Sequence, residues 1–178
     1  MVASALVGGI ESARVLEIGG GIGTIQVELL HAGAERGEVV ELVSAFEPFA
    51  RELAREAGLE ARTSFRVADV LDDPGTVEAA DVVVLNRVVC CSPDGIALTA
   101  EAARLARRTL VLSFPRDVLW VRVGVRAANG GLRLLGRSYR IFVHARTALL
   151  AAAEAEGLRL VDSAHRGGWE IAGLRRVT

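Results

Sequence analysis

Val15-Leu-Glu-Ile-Gly-Gly-Gly-Ile-Gly-Thr24 is the stretch from which the fold can be read. Val15 to Ile18 form a short apolar run broken only by Glu17, which predicts a strand. Gly19, Gly20, Gly21 and Gly23 predict a turn, and Thr24 to Leu30 resume with the apolar spacing of a helix. Strand, glycine loop and helix in that order bring backbone N–H groups and a helix N-terminus around one spot, which suits a polar or anionic part of a cofactor. Glycine allows backbone angles closed to other residues and lets a ligand approach the main chain.

The type of loop matters. A dinucleotide fingerprint is G-x-G-x-x-G, whose third glycine permits close helix–strand packing. Counted from Gly19 that third position is Thr24, and counted from Gly21 it is Gln26, so neither register fits. In phase instead are Glu17, Gly19, Gly21 and Gly23, the pattern E-x-G-x-G-x-G. On these residues the sequence resembles the class I S-adenosylmethionine-dependent methyltransferases. The resemblance implies S-adenosyl-L-methionine as cofactor, its methionine part wrapped by Gly19, Gly20, Gly21 and Gly23, with Glu17 near its amino group.

The chain of 178 residues is long enough for one domain with a full core, and residues 1–178 are read as one. Hydrophobic residues make up 51% and aromatics 4%, so that core must be built from Val, Leu, Ile and Ala. A net charge of −1 argues against a nucleic-acid partner held by bulk positive charge. All basic residues are Arg, a uniformity ascribed to genome composition. The adjacent Cys90 and Cys91 give no disulfide framework, which predicts a reducing, cytoplasmic setting. No secretory leader and no membrane-length apolar run is expected.

Outward from the glycine loop the sequence alternates strand and helix. Val2 to Val7 read as the end of a helix. A second strand is expected over Glu38 to Val43, a helix over Pro48 to Ala57, and a strand over Thr63 to Val67. A weak helix over Pro74 to Ala79 precedes the apolar run Asp81 to Leu85, which suits a buried parallel strand. A helix over Pro93 to Arg107 and a strand over Thr109 to Phe114 complete the rhythm. Then come a helix from Arg116 to Ala128 broken at Asn129-Gly130-Gly131, irregular chain to Phe142, a helix over Ala145 to Ala155, and strands over Leu158 to Ala164 and Trp169 to Leu174. Repeated βα units imply a doubly wound α/β sheet. The methyltransferase resemblance implies the rest: a mostly parallel seven-stranded, Rossmann-like sheet in the order 3-2-1-4-5-7-6. The sequence departs from that family at the front, where such enzymes have a longer segment over the cofactor.

Further candidate residues lie at strand ends. The resemblance implies an acid at the end of the second strand that accepts both ribose hydroxyls, for which a carboxylate is suited as a pure acceptor. Glu41, with Leu42 beside it, fills that position, and the rival Glu47 is expected to start the next helix. Asp69 and Val70 resemble the position near the adenine, Asp69 alternatively capping a turn. Asn86 and Arg87 follow the fourth strand, where the family borders cofactor and substrate. Cys90 and Cys91 are expected to pack beside the pocket, since two adjacent cysteines with no companion His or Cys make no closed zinc site and no metal is expected. His31 marks a helix end and His165 a strand end, while His144 is placed to face a pocket or to start a helix.

Neither a G-x-S-x-G elbow nor a phosphate loop with its lysine occurs, which removes hydrolase and kinase readings. Methyl transfer needs alignment above all, and no residue is singled out as a general base. The segment 116–144 is the expected substrate cover. In it Arg122 and Arg126 share one helix face, and Trp120, Tyr139 and His144, with Arg87, complete a candidate acceptor site. Its apolar and arginine mixture points to a small or medium-sized apolar anion, such as a lipid-like, quinone-precursor or tetrapyrrole acid. Two alternatives stay open: a non-catalytic cofactor-binding domain for regulation or assembly, and an NAD-type oxidoreductase with a degenerate loop.

Overall fold

A computed structural model describes residues 9–73 and 75–177. The helix end expected over Val2 to Val7 lies outside the described residues, as does Pro74. The chain folds as β1 (Arg14–Ile18), α1 (Thr24–His31), β2 (Arg36–Glu41), α2 (Glu47–Glu56), β3 (Thr63–Val67), β4 (Ala80–Asn86), α3 (Gly95–Leu105) and β5 (Ala106–Pro115). It continues as α4 (Leu119–Leu134), α5 (Arg146–Ala155), β6 (Leu158–Arg166) and β7 (Trp169–Arg176). The seven strands form one sheet in the order β3-β2-β1-β4-β5-β7-β6, the order expected. β1 to β5 run parallel, and β7 joins antiparallel to both β5 and β6.

The apolar run of β4 explains its central place. Val82, Val83, Val84 and Leu85 are each at most 1% exposed, and each such side chain contributes about 1.5–3 kcal/mol on burial. One face of the sheet packs on Leu98, Ala102 and Leu105 of α3 and on Leu149 and Ala153 of α5. The other packs on Leu29 and Leu30 of α1. Parallel pairing aligns the carboxyl ends of the strands, with Glu41 of β2 beside Val67 of β3 and Asn86 of β4 beside Ser113 of β5. These ends form one rim, and the candidate site lies along it.

Several local expectations are corrected. β2 ends at Glu41, two residues before the expected Val43. Residues 75–79 hold turn and bend rather than a helix. α3 starts after Pro93 because Asp94 caps it, its Oδ1 accepting from Ala97 N at 3.0 Å. Ala106 and Arg107 belong to β5, not to the helix before it. α4 does not break at Gly130-Gly131 but runs to Leu134. Its stop is Gly136, at φ +67°, where Gly136 N donates to Arg133 O and Arg137 N to Leu132 O, the paired bonds of a glycine C-cap.

Candidate cofactor and acceptor site

The loop after β1 is shaped by contacts that only glycine tolerates. Gly19 sits at φ +66° and its N–H donates to Val40 O at 2.7 Å. A Cβ there would fall 2.3 Å from Val88 Cγ2. Gly20 lies over Glu17, whose Cδ would be 2.7 Å from an added Cβ, and Gly23 backs onto Val39. Gly21 differs: at φ +57° its added Cβ would meet nothing within 4 Å. The loop is thus packed against protein at Gly19, Gly20 and Gly23 and open at Gly21.

Glu17 is 1% exposed, and its Oε2 accepts from Gln26 N at 3.0 Å. The strand therefore supplies the cap that α1 lacks, because Gly23 at its start has no side chain to satisfy the first N–H groups. Burial pushes the Glu17 carboxyl up to about 7, against the Gln26 bond, which lowers it, while the Glu41 charge adds to the rise. Gln26 itself carries no sequence motif, and its part shows only once α1 is placed on β1.

A cavity of about 290 Å³ opens between the loop and the ends of β2, β3 and β4, close to the lower end of the ~300–1,000 Å³ range of ligand sites. Gly19, Glu41, Leu42, Asp69 and Val70 line it together. The Glu41 carboxylate accepts from Gly21 N at 3.0 Å through Oε2, and from Leu42 N and Val43 N through Oε1. It thereby joins the glycine loop to the end of β2. Asp69 both lines the cavity and caps a turn, its Oδ1 accepting from Leu71 N at 2.9 Å. Glu47 instead begins α2 and pairs with Arg51 on the surface. A hollow of about 480 Å³ lies at the other ends of the strands, lined by Arg14, Arg36 and Thr63. Ligands in open parallel sheets sit at the carboxyl ends, which favours the smaller cavity.

Asn86 and Arg87 stand on the neighbouring rim. Asn86 Oδ1 accepts from Ser113 Oγ at 3.1 Å, and Ser113 Oγ in turn accepts from Arg87 N at 2.9 Å. Arg87 has a positive φ of 57°, and its guanidinium lies 5.0 Å over the Trp169 ring. The sequence offered no signal for Ser113, a small polar residue inside an apolar strand.

The segment after α4 closes over this rim. Tyr139 OH is 3.1 Å from Cys91 Sγ, and Cys91 lines the cavity. The Cys90 thiol donating toward Cys91 draws the Cys91 thiol down to about 6, partial burial working against it and Tyr139 adding to it. The hydrogen bond to Cys91 pushes Tyr139 up to about 12. His144 Nε2 lies 3.1 Å from both Val89 O and Ser92 O and donates to them, so it fastens the segment rather than facing open space. Phe142 N donates to Cys90 O at 2.8 Å, and Asn129 bonds both the N–H and the carbonyl of Ile141.

On α4, Trp120 lies against Gly168 of the β6–β7 turn. Arg122 pairs with Asp117. Arg122 and Arg126, with Val125, Ile141 and Phe142, line a groove of about 440 Å³ that shares no lining residue with the Glu41 cavity. Among the described residues no group of His, Cys, Asp and Glu could hold a metal ion. No helix among them is long and apolar enough to cross a membrane.

Comparison with known proteins accords with this geometry. Residues 16–112, more than half the chain, match the family model described as a methyltransferase domain. The chain belongs to that family, the class I S-adenosylmethionine-dependent methyltransferases, and its cofactor class is the one expected. The oxidoreductase alternative falls with that membership. Among solved structures, magnesium protoporphyrin IX methyltransferase (ChlM) from Synechocystis PCC 6803, crystallised with SAH, is 20% identical with a TM-score of 0.79, over 99% of this chain and 80% of that one. An O-methyltransferase family protein from Burkholderia thailandensis is 20% identical with a TM-score of 0.78, over 98% of this chain and 54% of that one. The [4+2]-cyclase SpnF is also similar, 16% identical with a TM-score of 0.71, over 98% of this chain and 79% of that one. No curated protein matches the sequence. These likenesses share a fold, and a fold does not fix a reaction.

Proposed function

We propose that the chain transfers the methyl group of S-adenosylmethionine to a small or medium-sized apolar anion. The observation that carries this reading is the glycine loop, closed against Val88 and Glu17 but open at Gly21 beside the Glu41-lined cavity. The residues fit the cofactor. Gly21 leaves room where main chain and ligand would meet, and Glu41, with three N–H groups on its roughly four acceptor sites, keeps one on Oε2 for a ribose hydroxyl. Asp69 keeps Oδ2 for the adenine side. Val70 and Leu42 offer apolar walls. Asn86 and Arg87 stand at the boundary between cofactor and acceptor.

The bound sulfonium supplies an activated methyl, so the protein's part is to align an acceptor and exclude water. The segment 116–144 serves as the acceptor cover. Arg126, which makes no ion pair among the described residues, is placed for a carboxylate or phosphate, with Ile141 and Phe142 as the apolar wall. Trp120 and Tyr139 add aromatic surface on the two ends of the cover.

Calorimetric titration tests the cofactor half. S-adenosylmethionine and its demethylated product bind and NAD does not. Glu41→Gln loses charge-assisted acceptance and at least about tenfold in affinity, whereas Glu47→Gln has little effect. Damage from Glu47→Gln instead would move the ribose acid. A methyl-transfer screen tests the acceptor half, with turnover of apolar carboxylates and a loss in Arg126→Ala as the expected result. Preference for neutral polar acceptors removes the anion, and binding without any turnover favours a regulatory domain.

A further inference from the structure

Helix α4 buries only one residue, Val121. At about 100° per residue, Leu119, Trp120, Val123 and Leu134 fall in one sector on the opposite side. That sector is open: Leu119 is 78%, Trp120 61%, Val123 54% and Leu134 90% exposed, and Leu135 extends it past the helix end at 76%. Arg126 and Arg133 flank one edge of it by the same spacing. Between Val118 and Ala153 the sequence holds six arginines and neither Asp nor Glu, in a chain of net charge −1. Arg116 lies at the same end, donating to Gly167 O of the hairpin turn against which Trp120 packs.

We infer that this face of α4 docks on the surface of an anionic lipid bilayer. Leu and Trp on one sector with arginines at its edge match a helix that lies in the headgroup boundary, its apolar side sunk roughly 5–10 Å. Arginine forks suit lipid phosphates; Arg122 is held by Asp117 and Arg146 by Glu170, while Arg126, Arg133, Arg137 and Arg140 make no ion pair among the described residues. The helix is too short and too charged to cross the membrane, so it lies on it. Charge separates this occupant from a second copy of the chain. A twofold contact through the same face would set two arginine edges together with no acid in the segment to offset them.

Co-sedimentation of the intact chain with phosphatidylcholine vesicles, with and without about 30% phosphatidylserine, tests the inference. The bound fraction is expected to be at least tenfold higher on the anionic vesicles and to fall in about 1 M salt, where the screening length is ~3 Å. Leu119→Ser with Leu134→Ser should lower it at least tenfold, and Arg133→Glu with Arg137→Glu at least fivefold. Circular dichroism and cofactor titration confirm that these surface variants stay folded. Equal binding to both vesicle types, or binding indifferent to either pair of substitutions, overturns the proposal. So does a dimer in sedimentation equilibrium that Leu119→Ser with Leu134→Ser dissolves, since the face would then belong to a second copy. Loss of vesicle binding leaves the cofactor titration untouched, so the two readings fail separately.

Discussion

Gly19, Gly20 and Gly21 in the loop after β1, and Gly124, Gly130 and Gly131 in α4, are the same residue in opposite surroundings. In the loop, a Cβ on Gly19 or Gly20 would collide with Val88 or Glu17, and Gly19 and Gly21 need positive φ. In α4, a Cβ on any of the three meets nothing within 4 Å, and none has positive φ. The first set answers a demand of the fold. The second leaves a helix loosely built on a surface that little else covers. Glycine is demanded where the space around it is contested, as at Gly19 and Gly20, or where φ is positive, as at Gly21.

The largest expected effects come from forcing side chains into the contested set. Gly19→Ala adds overpacking of roughly 1–3 kcal/mol to a left-handed backbone cost of ~1–2 kcal/mol. Urea unfolding should show a loss of several kcal/mol. Gly21→Val acts on the ligand instead, because its side chain points into open space. Cofactor affinity should fall more than about 100-fold, roughly 2.7 kcal/mol, with the fold largely formed. A Gly21→Val protein that still binds would move the cofactor away from the loop and dissolve the contrast.

This contrast also explains what the sequence made legible. β1, β4 and β5 could be read because buried parallel strands need continuous apolar runs such as Val82–Leu85, and Glu41 through the family resemblance and its spacing after Gly23. The glycines of α4 misled because helix propensity is a weak prior, and Asn129 gripping Ile141 holds the helix through Gly130. The true stop, Gly136, announces itself only through bonds to Leu132 and Arg133. Ser113 and Gln26 act through neighbours distant in the chain, Arg87 N and Glu17 Oε2, which no local pattern reveals. The same holds for Glu170. It is buried in β7 and met by Arg146, Ser163 and His165, all from other elements or turns.

Glu17 sharpens the comparison with a charge. Its carboxyl titrates near 7 in the folded chain against an ordinary 4.5, so the native state holds the extra proton between those values. Stability therefore falls as pH rises through that window and levels off above it. By linkage the cost above pH 7 is about 3 kcal/mol at most. Glu17→Gln removes that cost and leaves an amide oxygen to accept from Gln26 N. Relative to the parent it should gain stability steadily from about pH 5 to pH 8 when unfolding is measured without cofactor. A constant difference across that range would mean that Glu17 is already compensated.

The segment 116–144 contains one polar clamp of its own. Asn129 Nδ2 donates to Ile141 O at 2.8 Å, and its Oδ1 accepts from Ile141 N at 2.9 Å. Asn129→Ala removes both bonds, each contributing about 0.5–1.5 kcal/mol. The loss should be local. Amide exchange should quicken in α4 and at Ile141 while β1 to β5 keep their protection. Equal quickening throughout would make the segment 116–144 part of the core's cooperative unit.

The smallest effect separates the two glycine sets most cleanly. Gly130 has helical neighbours on both sides, no positive φ and open space where a Cβ would go. Alanine there restricts the unfolded chain and suits the helix, a gain of roughly 0.5–1 kcal/mol. Because α4 is anchored mainly through Val121 and Asn129, that gain belongs to local opening rather than to global unfolding. Gly130→Ala should therefore slow amide exchange across α4 by up to about fivefold, the equivalent of ~1 kcal/mol, and barely move the melting temperature. Cofactor affinity should stay the same, since nothing at Gly130 touches the cavity. Faster exchange in the alanine variant would show that Gly130 serves a bend the helix needs, and α4 would then join the loop as a place where glycine is demanded.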